Sequence, residues 1–109
     1  MLIAVASKDG KVIDQHFGHA ERFLIFDVDQ GTATLVDEKH VDRYCSFDPE
    51  HPLRGHLLRD IGKALQGCRA VVTAQMGDHP KSELESLGIE PFVATGQIKA
   101  TLVELAKIL

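Results

Sequence analysis

The sequence predicts a single α/β domain, a three-layer sandwich around a mixed sheet of five or six strands with about three helices. Three observations carry that expectation. The first half of the 109 residues alternates short β-type runs with glycine turns, the second half alternates helical stripes with short apolar runs, and no linker or repeat separates them. Strands that alternate with helices imply right-handed βαβ crossovers and parallel pairing. The early hairpins require antiparallel pairing, so the sheet must be mixed.

Leu2 to Ala6 is a continuous apolar run, as expected of a strand buried on both faces. Lys8-Asp9-Gly10 reads as a tight turn, with a weaker strand over Lys11 to Asp14. Phe23 to Val28 is the third strand, and Asp29-Gln30-Gly31 turns it into a fourth over Thr32 to Lys39. Leu53, Leu57, Leu58, Ile61, Ala64 and Leu65 then share one helical stripe, with Asp48-Pro49 as its start and Gly67 as its stop. Ala70 to Ala74 is again a buried strand. A short helix from Asp78 or His79 runs through Leu87 and closes at Gly88. Pro91 to Ala94 is the last strand, and Ile98, Leu102, Leu105, Ala106 and Leu109 form the final helical stripe.

Composition narrows the function. A net charge of −4 with no basic run argues against nucleic-acid binding. No apolar stretch is long enough for a transmembrane helix, and the start carries no leader pattern, so a cytoplasmic location with reduced thiols is expected for Cys45 and Cys68. No nucleotide or hydrolase motif occurs, and Leu2 to Ala6 carries none of the carboxylates that a metal-dependent nuclease needs. An enzyme is therefore not expected.

Ligands of open α/β sheets sit at the carboxyl ends of the parallel strands. That rule selects the loops after Ala6, Ala74 and Ala94. Between the second and third strands stands Asp14-Gln15-His16-Phe17-Gly18-His19-Ala20. Imidazoles from His16 and His19 suit transition metals, and Gly18 lets a ligand approach the backbone. Taken alone, two loop histidines are more often solvated than ligating. Cys45 lies in a loop beside Arg43 and near a helix start, an environment that favours thiolate and hence metal ligation, with a small packed hydrophobe as an equally weighted reading. Cys68, between Gly67 and a buried strand, is expected to be a core thiol. A zinc site from His40, Cys45, His51 and His56 matches no structural zinc spacing. Gly77 and Gly96 mark two strand-to-helix loops, where unpaired amides and the helix dipole can seat an anion.

These segments, together with Phe23-Leu24-Ile25-Phe26, Cys68-Arg69-Ala70-Val71-Val72, Leu87-Gly88-Ile89 and Thr95-Gly96, resemble the dinitrogenase iron-molybdenum cofactor biosynthesis family over essentially the whole chain. The resemblance implies a ribonuclease-H-like fold in one cluster-binding domain over residues 1–109. It further implies a carrier, related to nitrogen fixation, that holds a labile metal–sulfur cluster and passes it between a transient protein donor and an acceptor. The cluster would be an iron–sulfur, iron–molybdenum–sulfur or molybdenum–copper–sulfur species. His16 matches the family's cluster-holding histidine, with Cys45 and then His19 as weaker matches. Gly18, Arg43, Gly77 and Gly96 would complete the seat. The alternative, from another class, is a metal-free interaction or regulatory module.

Overall fold

The computed structural model describes residues 1–41 and 54–109. Its main sheet has five strands: β1 (Leu2–Val5), β3 (Arg22–Asp29), β4 (Thr32–His40), β5 (Ala70–Thr73) and β6 (Glu90–Val93), in the spatial order β4-β3-β1-β5-β6. β1 pairs antiparallel with β3 and parallel with β5, and β6 is parallel to β5. The mixed sheet expected from the two halves of the sequence is what forms.

The expected second strand is where sequence and structure part. It shrinks to β2 (Val12–Ile13), leaves the main sheet, and pairs antiparallel with a two-residue strand, β7 (Gly96–Gln97). The reason is local: Gly10 takes a φ of +77°, and Asp9 Oδ1 accepts hydrogen bonds from the amides of Lys11 and Val12 at 2.8 and 3.1 Å. This side-chain-capped turn directs the chain away from β1 rather than back along it.

Among the described residues there are three α-helices: α1 (Arg54–Ala64), α2 (Asp78–Ser86) and α3 (Ile98–Ala106). The expected start of the first helix at Asp48-Pro49 lies outside the described residues. Alternation along the central strands divides the core in two. Ala4, Phe23, Ile25 and Val71 pack with Ile61 and Leu65 from the α1 segment and Leu84 of α2. Ile3, Val5, Leu24, Phe26 and Val72 pack with Ile98 and Leu102 of α3. β1 and β5 are buried on both faces, in keeping with the apolar run of β1 and with Ala70 to Val72 of β5. Each fully buried Ile, Leu or Phe contributes about 1.5–3 kcal/mol, so the two central strands are the most firmly held part of the molecule.

At the open edge, β4 leaves Leu35 and Val36 exposed beside a register shift opposite Ile25 and Phe26. The Asp37–Lys39 ion pair and this irregularity protect the edge from further pairing.

Candidate functional site

Strand polarity puts the carboxyl ends of β1, β5 and β6 at one pole, and one stretch of chain, residues 12 to 17, is tied to two of the three loops there. Ile13 lies opposite Gly96 in the β2–β7 pair, and the amide of Ile98, the first of α3, donates to the Lys11 carbonyl at 3.0 Å. Three residues later the chain joins the end of β5. The amide of Ala74 donates to the Gln15 carbonyl at 2.8 Å, and the amide of Phe17 donates to the Gln75 carbonyl at 2.8 Å. His16 thereby forms a parallel bridge with Gln75. Gln75 precedes Gly77 by two residues, at most about 7 Å of chain. The imidazole-bearing segment and the start of α2 are therefore neighbours.

The sequence explains why His16 is held there. Phe17 is 1 % exposed and its ring packs on Phe23, centroids 5.9 Å apart. Ala20 is equally buried after a single 3-10 turn over Phe17–His19. The strap is anchored by apolar side chains on its far side and by backbone bonds to β5 on its near side. His16, between these anchors, is exposed. A ligating ring presented from such a segment needs little ordering when it binds.

Gly77 is the N-cap of α2, with ψ at 165°, and no side chain caps that helix start. Pro80 has no amide to offer, and Asp78 places a carboxylate in the first turn, which offsets part of the dipole's pull on an anion. α3 carries no acid in its first turn, and its N-cap Gln97 makes no side-chain cap. Exposed Lys11 and Lys99 flank that start. The pole combines an imidazole, uncapped helix starts and cations. Chemically it suits an anion able to accept a nitrogen ligand.

The turn before β2 is stiffened by charge. Asp9 also accepts from Ser7 Oγ at 3.3 Å, and Ser7 Oγ accepts from the amide of Gly10 at 3.0 Å. The amides of Lys11 and Val12, then Ser7, hold the Asp9 carboxyl below the ordinary carboxylate range. Asp14 Oδ1 accepts from the amide of Lys8 at 3.0 Å.

Of the residues expected at the site, His16, Gly77 and Gly96 meet at this pole, with Gly18 one residue beyond Phe17. Cys45 and Arg43 lie outside the described residues, and so does the side chain of His19. Of the conceivable zinc set, Cys45, His51 and the His56 side chain lie outside the described residues too, while His40 Nε2 stands 3.2 Å from Glu38 Oε1. Among the described residues no three His, Cys, Asp or Glu side chains gather as a metal cage. Arg22 is engaged, its guanidinium bonding to Glu38 at 3.1 Å and to the Lys8 carbonyl. Cys68 is a core thiol as expected, and burial pushes its pKa up. Gln75 opens the loop after Ala74 that the sequence selects, but its bridge to His16 had no signal in the sequence.

A sizeable hollow lies elsewhere. A groove of about 860 Å³ opens at the amino ends of β1, β5 and β6, bordered by Leu2, Arg69 and Ile89.

The model of the dinitrogenase iron-molybdenum cofactor family matches residues 1–108. The FeMo cofactor biosynthesis protein NifB of Azotobacter vinelandii is 36 % identical over 84 % of this chain, NifB of Klebsiella pneumoniae 38 % over 84 %, and NifB of Frankia alni 36 % over 96 %. The chain spans about a fifth of the length of these relatives, covering 18, 20 and 21 % of them respectively. Among solved structures, that of PH0822 superimposes with a TM-score of 0.69 at 24 % identity, covering 98 % of this chain and 89 % of that one. The mj0327 protein of Methanocaldococcus jannaschii gives a TM-score of 0.59 at 18 % identity, covering 97 % and 86 %.

Proposed function

The chain belongs to the dinitrogenase iron-molybdenum cofactor family, and from that membership we propose that it is a carrier in cofactor assembly, binding an anionic metal–sulfur cluster as cargo and passing it from one protein to another. The observation that carries the reading is the bridge between His16 and Gln75, which sets an exposed imidazole beside the uncapped start of α2. The relatives named for FeMo cofactor biosynthesis support the choice of cargo.

A carrier must hold its load and also release it. One imidazole with helix-terminal amides and nearby cations holds an anionic cluster by few bonds, whereas a closed four-ligand cage suits permanent binding. In this reading His16 is a direct ligand to an iron or molybdenum atom, and Gly18 leaves the backbone open to the cluster's approach. Gly77, Gly96, Lys11 and Lys99 set the electrostatics. Cys45 is assigned as a second, soft ligand, His19 as a third, and Arg43 as a counter-charge, on the strength of the family resemblance. The cargo is an iron–sulfur, iron–molybdenum–sulfur or molybdenum–copper–sulfur cluster, and the protein acts by binding rather than by turnover.

The same reading takes the fold as a three-layer, ribonuclease-H-like sandwich, supported by the division of the helices between opposite faces of the sheet. It places the protein in the cytoplasm. Among the described residues no helix is long and apolar enough to cross a membrane.

Anaerobic titration with extracted iron–molybdenum cofactor, followed by visible absorption, tests the proposal. The expected result is a saturable 1:1 complex whose affinity falls at least about tenfold, or about 1.4 kcal/mol, in His16→Ala. Equal binding by both proteins removes His16 from the seat. No binding by either favours the metal-free interaction module.

A further inference from the structure

Among the described residues two polar ones are buried, Ser7 at 2 % exposure and Thr73 at 0 %. Both stand at or just past the carboxyl ends of β1 and β5, where the strap that carries His16 is tied. A hydroxyl buried among apolar neighbours is unfavourable unless it finds a partner, and valine has nearly the shape of threonine. What these two hydroxyls bond to is therefore informative. Ser7 Oγ accepts from the Gly10 amide and donates to Asp9 Oδ1, so it is absorbed in the turn before β2. Thr73 serves the other end of the strap.

The chain bends at Ala74, which brings the Gln75 carbonyl within reach of the Thr73 hydroxyl. Thr73 Oγ1 donates to that carbonyl at 3.2 Å. The same carbonyl accepts from the Phe17 amide at 2.8 Å, and the Ala74 amide donates to the Gln15 carbonyl at 2.8 Å. His16 lies between these two main-chain bonds. Gln75 is exposed, whereas the hydroxyl that grips its carbonyl comes from a residue with no solvent contact. The base of that hydroxyl is fixed as well. Thr73 is in register with Val93 of β6, and its own carbonyl accepts from the Ala94 amide at 3.0 Å.

We infer that Thr73 is a positioning residue for His16. Its hydroxyl directs the Gln75 carbonyl, that carbonyl holds the Phe17 amide, and the imidazole one residue earlier is presented in a single orientation. The consequence for cargo rests on the carrier reading, whereas the bracing of the strap stands without it. A seat formed in advance keeps its affinity, because apparent affinity falls with the fraction of molecules in which the seat is formed.

Thr73→Val and Thr73→Ser pull stability and positioning in opposite directions. Valine keeps the branched shape and leaves the Gln75 carbonyl with the Phe17 amide, so thermal stability should stay at or above that of the wild type. Serine keeps the hydroxyl but loses a methyl group from a packed site, so it should melt lower. Amide exchange in the unloaded protein reads the strap, with the Ala6 amide, bonded to the Val72 carbonyl in the central sheet, as reference. Relative to Ala6, exchange at Phe17 should be about fivefold faster in Thr73→Val, the factor expected of one neutral hydrogen bond, and unchanged in Thr73→Ser. Anaerobic titration with extracted iron–molybdenum cofactor should find Thr73→Val at least about twofold weaker and Thr73→Ser equal to the wild type. Unchanged Phe17 exchange or unchanged affinity in Thr73→Val would overturn the role, as would losses that follow melting temperature, with serine worse than valine. If the wild type binds no cofactor, the carrier reading fails and the exchange comparison alone decides the role of Thr73.

Discussion

The two poles of the sheet have opposite characters. The amino pole holds a groove of about 860 Å³, walled by Leu2, Leu87 and Ile89, but presents no convergence of ligating side chains among the described residues. At the carboxyl pole a strap is instead stitched by main-chain bonds to β5 and, through β2, to β7, with His16 at its exposed point. The difference teaches that volume and chemistry are separate properties of a fold. A hollow forms where helix ends diverge over apolar residues. A ligating pole forms where strand polarity aims helix starts and loop backbones at one place.

If the carboxyl pole is the rigid one, removing its anchor should cost far more than trimming the other pole. Phe17→Ala is expected to destabilise the protein by about 3–5 kcal/mol, because the ring is buried and holds the strap, whereas Leu87→Ala should change stability by no more than about 0.5 kcal/mol. Urea unfolding of the two variants checks the contrast, and equal losses would break it. Gly96 sharpens it further. Its φ of +113° is a backbone conformation that side-chain-bearing residues seldom adopt, so Gly96→Ala should cost about 1–3 kcal/mol and loosen the β2–β7 pair. Amide exchange at Ile13 and Ile98, faster in the variant, reads the loosening.

The smallest effects are in pH, and they have opposite signs at the two poles. The Asp9 pKa is depressed on folding, so its contribution is present above the ordinary carboxylate value and is lost as pH falls through the folded value. Asp9→Asn should flatten the acid limb of the stability curve. The Cys68 pKa is raised by burial, so the neutral thiol's contribution is present below the ordinary thiol value and is lost as pH rises through the folded one. Cys68→Ala should flatten the alkaline limb. Thermal unfolding across pH checks both.

Much of this was legible in the residues. Leu2 to Ala6 announces a doubly buried strand because it carries no polar residue, and Ala70 to Ala74 does so because Thr73 is its only one. The stripe from Ile98 to Ala106 announces its helix by spacing alone. His16 stood out because a glycine-containing turn between strands has no packing use for an imidazole. Other features depend on contacts that no local pattern encodes. The β2–β7 pair joins two dipeptides from opposite ends of the chain, and two residues are too few for periodicity to register. Gln75 looks like any turn residue until the strap is laid beside it. The amino-pole groove depends on how closely Gly62 of α1 lets Leu87 approach, which is a matter of tertiary packing.

The central claim is that the His16 ring itself binds the cargo. Pulsed electron paramagnetic resonance on protein labelled with nitrogen-15 histidine and loaded anaerobically with extracted iron–molybdenum cofactor measures this directly. The account predicts an imidazole nitrogen coupling to the cluster spin that disappears in His16→Ala. A coupling that survives that substitution, or none in the wild-type complex, would contradict it.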